Sequence, residues 1–88
     1  MTINEIAKEN YKHAVRRGKI QKDDSFWKFH SALQDEVNEL ELSELNNCNF
    51  DPSEAVDVIL VPMSLLEHNG YDVEAEIMKK LEFNKVRE

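Results

Sequence analysis

The chain has 88 residues, of which 33% are charged and 41% hydrophobic, and a formal net charge of -7. That length makes one domain whose core is marginal by itself, for which oligomerisation is a usual remedy. The acid excess excludes a general binder of nucleic-acid polymers, which must neutralise phosphates with Lys and Arg, but not a nucleotide whose phosphates arrive with magnesium.

Two glycines and two prolines punctuate four helical stretches. Thr2 followed by Glu5 reads as a capping box. The helix it opens carries Ile6, Ala7, Ala14 and Val15 and stops at Gly18. Lys19 to Lys22 reads as a loop. A second helix is expected from Asp23 or Asp24, either a good N-cap. Phe26, Phe29, Leu33, Val37 and Leu40 then recur at helical spacing. This helix is expected to fray across Glu44 to Asn49, a segment rich in turn formers.

A third helix opens on Asp51 as N-cap, with Pro52 at the first helical position and Glu54 at the third. It is expected to run to Gly70, bent at Pro62, which removes one backbone bond and crowds the Val58 carbonyl. It is apolar on nearly every side, as in a helix that is buried or shared between subunits. A fourth helix begins near Asp72 and carries Val73, Ile77 and Leu81. No stretch alternates with a two-residue period. The expected class is all-α, a small four-helix bundle-like subunit of an oligomer spanning residues 1–88 as a single domain.

The acids are unevenly placed. Between Phe29 and Met78 there is no Lys or Arg, and the cations lie toward the two ends. Two doublets stand out, Glu36 with Glu39 and Glu54 with Asp57. Residues three apart share a helix face, about 5–6 Å apart at Cβ, so each doublet aims two carboxylates at one spot. Helix against helix, the four could ring a point with oxygen, as a hard divalent cation such as Mg2+ prefers. Glu36 falls at the edge of the apolar stripe and Glu39 a little further round. Asp57 is the only charge from Ala55 to Leu66, where burial is costly unless it is paired or coordinated. Glu54 has an alternative use, closing a capping box with Asp51.

Other features exclude more than they suggest. No apolar run of about 18 residues is present, so no membrane span is expected. The N-terminus is polar and lacks a signal-peptide pattern. The one cysteine, Cys48, cannot form an internal disulfide, which fits a reducing, cytoplasmic setting. His13, His30 and His68 are too scattered for a Cys/His metal site.

These motifs in this order resemble the MazG-like nucleoside triphosphate pyrophosphohydrolases, whose signature is Glu-x-x-Glu followed by Glu-x-x-Asp. The similarity covers roughly residues 26 to 88. It includes Ser31 to Glu41, Glu54 to Leu60, and a closing Lys80, Asn84 and Arg87. The resemblance implies Mg2+, or Mn2+, held by Glu36, Glu39, Glu54 and Asp57, and hydrolysis of a nucleoside triphosphate to a monophosphate and pyrophosphate. It makes Lys80 and Arg87 phosphate contacts and Asn84 a polar contact to substrate. Trp27 becomes either a base-stacking residue or a core or interface one. Glu39, further from the apolar stripe, is the choice for general base. Many short relatives continue into a basic tail, whereas this sequence stops at Glu88. A second subunit of a homodimer or homotetramer is therefore expected to supply a phosphate contact. Two rival readings are a non-catalytic helical interaction module and a phosphoribosyl-ATP-type pyrophosphohydrolase.

Overall fold

The computed structural model describes residues 1–47 and 49–87, so Cys48 and Glu88 lie outside the described residues. Among the described residues there are four α-helices and no strand: α1 (Ile3–Arg16), α2 (Phe26–Asn47), α3 (Pro52–His68) and α4 (Val73–Val86). The all-α expectation holds, and no helix is long and apolar enough to cross a membrane.

Local chemistry sets most boundaries. Thr2 accepts from the Glu5 amide at 3.1 Å, and the Glu5 carboxylate accepts from the Thr2 amide at 2.8 Å, completing the box. Past Arg16 the chain turns at Gly18, whose φ of +75° a side chain would resist. Asp51 caps α3 by accepting from the Ser53 amide and hydroxyl at 2.9 and 2.7 Å. Asp72 caps α4 through the Ala75 amide at 3.0 Å.

Three boundary expectations need correction. Helix α2 starts at Phe26, and Asp24 instead accepts from the Gln21 amide at 2.7 Å, closing the preceding turn. Its far end continues to Asn47 without fraying from Glu44. The last turn, exposed from Glu44 to Asn46, extends a helix already formed, and propagating a helix is easier than starting one. Helix α3 stops at His68, two residues before Gly70, and passes Pro62 without a break.

Helix α3 is the common support. Helices α1, α2 and α4 all pack on it, and α4 also meets α1, whereas α2 meets neither α1 nor α4. Polar contacts fix the seams. Asn10 of α1 donates to the Leu60 carbonyl and to the hydroxyl of buried Ser64, at 3.2 and 2.7 Å. Asn4 donates to Asp72 and accepts from the Glu74 amide, both at 2.9 Å, holding α4 on α1. His68 lies 2.8 Å from the Asp24 carbonyl through Nε2 and 2.6 Å from the Tyr11 hydroxyl through Nδ1. A carbonyl only accepts, so Nε2 carries the proton, and in the neutral ring Nδ1 accepts from Tyr11. The Phe29 ring lies against the same imidazole, 4.8 Å between centroids.

The core is small. Among the described residues its buried hydrophobic side chains are Ala7, Ile20, Phe29 and Val73. Helix α3 is not wrapped on all sides: Val56 and Ile59 are exposed, and Leu60, Met63, Leu65 and Leu66 are half-buried. The chain exposes 6633 Å², against about 5,400 Å² for a folded monomer of this mass. Its radius of gyration is 14.5 Å, against about 12 Å for a compact domain of this length.

Phe29 is the largest side chain removed from water and ties α2 to the end of α3. Phe29→Ala is expected to cost about 3–5 kcal/mol, the range for deleting a buried aromatic ring. Urea denaturation of the two proteins measures it; a loss under about 1 kcal/mol would show that this ring is not the core of the hairpin.

Candidate metal centre and adjoining cavity

The antiparallel α2–α3 hairpin brings the two acidic doublets together. One carboxylate oxygen from each of Glu36, Glu54 and Asp57 lies within 4.8 Å of the other two. Glu36 and Glu54 are half-buried, and Oε2 of each is shielded from water with no hydrogen-bond partner. Such an oxygen costs free energy unless a cation or proton meets it. The donor set fits a hard, oxygen-seeking divalent ion. Glu54 does not close a capping box with Asp51, whose side chain is engaged by Ser53, so its carboxylate is free for the cluster.

Glu39 falls outside the converging three and is exposed, yet it lies near enough for its charge to act on both Glu36 and Glu54. The expectation that Asp57 is buried is corrected. It is exposed, because it lines the gap left between α1 and α2 where they rest on α3. Burial, then the charges of Glu39, Asp57 and Glu54, hold the Glu36 carboxyl above its ordinary 4.5. Burial, then Glu39, Asp57 and Asp51, raise Glu54 likewise.

Since α1 and α2 both rest on α3 without meeting, a gap of about 330 Å³ remains between them. Its floor includes Ile20, Phe29, Ala32 and Leu60. Asp35, Glu36 and Asp57 line it, and so do Arg17, Lys19 and Lys28. The carboxylate cluster therefore adjoins a cavity that carries charges of both signs.

The remaining expected site residues lie elsewhere. Lys80 and Asn84 on α4 and Arg87 at its C-cap are exposed, and none lines this cavity. The Lys80 ammonium sits 4.8 Å from the Phe83 ring centroid, and the Arg87 guanidinium carbon 5.5 Å from it. Trp27 is 67% exposed and edge-on to Phe26 and His30, outside both cavity and core. His30 is exposed. Cys48, expected to form no internal disulfide, lies outside the described residues. Arg17, Lys19 and Lys28 were not singled out by the sequence. The only available signal was the concentration of Lys and Arg from Arg16 to Lys28, which reads equally well as a solvated loop. Compared with family models, curated proteins and solved structures, the chain has no match.

The raised carboxyl groups set a pH dependence. Just above pH 4.5 the folded chain holds protons on Glu36 and Glu54 that the unfolded chain has released. Their contribution to stability therefore falls as pH rises through the raised values, and the penalty persists at neutrality without metal. Glu36→Gln is expected to melt a few degrees higher than the wild type at pH 7.5 in EDTA, with the difference vanishing below pH 4.5. Thermal melts at the two pH values decide this, and equal melting at pH 7.5 would refute the repulsion.

Proposed function

We propose that the protein is a Mg2+-dependent nucleotide pyrophosphohydrolase that cleaves a nucleoside triphosphate to a monophosphate and pyrophosphate. The observation carrying this reading is the pair of shielded, unpartnered oxygens on Glu36 and Glu54, converging with Asp57 at the edge of a cavity. The ordered motifs that resemble the MazG-like enzymes supply the reaction.

Glu36, Glu54 and Asp57 would hold the cation, with Glu39 the adjacent fourth carboxylate. The chemistry that Mg2+ or Mn2+ would supply there is neutralisation of phosphate charge. Glu39, solvent-facing and one helical turn from Glu36, accepts the proton of the attacking water. The new bond forms at the α-phosphorus, and the bond to the bridging oxygen breaks to release pyrophosphate. The apolar floor of the cavity excludes water from one side of the reacting group.

Glu39→Gln is expected to keep the fold and reduce turnover by roughly 10²–10⁴-fold, the usual contribution of a general base. Pyrophosphate release from canonical and modified nucleotides with Mg2+ is the measurement. Labelled water should place its oxygen in the monophosphate. Label found only in pyrophosphate means attack at the β-phosphorus and refutes the mechanism, while silence from the wild type across the panel favours the interaction module.

The working unit in this reading is a homo-oligomer, a dimer or tetramer, in the cytoplasm. Support comes from the excess exposed surface and from apolar residues left open on α3 and α4, including Ile59, Ile77 and Leu81. Burying each such side chain stabilises by roughly 1.5–3 kcal/mol. Light scattering at micromolar concentration should give at least twice the 10.3 kDa chain mass, and Ile59→Glu should lower it. A wild-type monomer that stays folded on dilution contradicts this assembly.

A further inference from the structure

The cavity beside the carboxylates carries a feature that the motif-based reading does not use. Arg17, at the C-cap of α1, Lys19 in the following loop, and Lys28 in the first turn of α2 all line it. All three are exposed, and among the described residues none is in an ion pair. The acids of the same cavity, Asp35, Glu36 and Asp57, are near enough to share a space but not to pair with them. Arg17 ends α1, which does not meet α2, and Lys28 lies about two helical turns before Asp35 and Glu36 on α2 itself. Unpaired charges of opposite sign facing one gap suit a ligand that carries both, an anion chain with a divalent cation bound to it.

Lys80 and Arg87 make a poorer phosphate site. Both lie over Phe83 on α4, away from this cavity, and α4 does not meet α2, the helix that carries Glu36. We propose that Arg17, Lys19 and Lys28 form the polyphosphate-binding rim of the site, holding the phosphates of a nucleotide across the cavity from the metal carboxylates. This rests on the reading of the carboxylate cluster as a metal centre. The guanidinium of Arg17 suits a paired contact to phosphate oxygens, and the two ammonium groups act as point charges. The rim binds and positions phosphate and takes no part in proton transfer.

Binding can be measured apart from turnover. The probe is inorganic triphosphate with Mg2+, followed by titration calorimetry on the wild-type protein and on two triple variants of equal charge change. One is Arg17→Gln/Lys19→Gln/Lys28→Gln; the other is Lys80→Gln/Lys85→Gln/Arg87→Gln on α4. All six positions are exposed, and circular dichroism checks that helix content is kept. The rim variant is expected to lose affinity by about tenfold or more, the scale of one charge-assisted hydrogen bond. The α4 variant should stay within about twofold of the wild type, as equal charge change far from the ligand is screened by salt. An unchanged rim variant, an equal loss in the α4 variant, or no binding by the wild type overturns the proposal. Rim-dependent binding without hydrolysis of any nucleotide refutes the enzyme reading and leaves the anion site standing. Turnover with an unchanged rim variant does the reverse.

Discussion

All three other helices pack on α3, and the rest of the structure depends on that shared support. One face of α3 receives α2 and brings Glu54 and Asp57 to Glu36. Another receives α1, held by Asn10 through the Leu60 carbonyl and the Ser64 hydroxyl. Since α1 and α2 reach α3 from different sides and do not meet, the space between them is not filled. The cavity is thus a consequence of how the helices are supported.

This arrangement concentrates cost and opportunity in one place. Three carboxylates converge without a basic partner, two of them with an oxygen shielded from water. In the absence of a cation, repulsion and desolvation oppose folding there, as the raised Glu36 and Glu54 carboxyls record. The offset comes from the seams at the other end of the hairpin. Phe29 packs on His68, and His68 joins Tyr11 to the Asp24 carbonyl. Ile20 and Phe29 belong to the core and also line the cavity beside Glu36 and Asp57, so the core and the candidate site share a wall.

The outer surface bears on the same question. Among the described residues four hydrophobic side chains are buried, the exposed area exceeds that usual for this mass, and apolar groups on α3 and α4 face solvent. Association that covers them would add stability without filling the cavity between α1 and α2, because the exposed Val56 and Ile59 are not among its lining residues.

The helices themselves were legible in the sequence, because their signals are local. Thr2 with Glu5, Asp51 before Pro52, Asp72, and the positive-φ glycines at 18 and 70 act within a few residues of one boundary. The three-residue spacing within each acidic doublet likewise puts both carboxylates on one face through backbone geometry alone. Some local signals competed. Asp24 could cap a turn or a helix and took the turn, and the polar end of α2 stayed helical to Asn47. Convergence between the doublets is a tertiary matter, set by how α2 lies on α3. Packing admitted Glu36, Glu54 and Asp57 to the cluster and left Glu39 outside it. It turned Asp57 toward water although its neighbours in sequence are apolar. It also brought Arg17 to the cavity lined by Asp57, forty positions away in the chain, a pairing that no local pattern encodes because it exists only once both helices rest on α3.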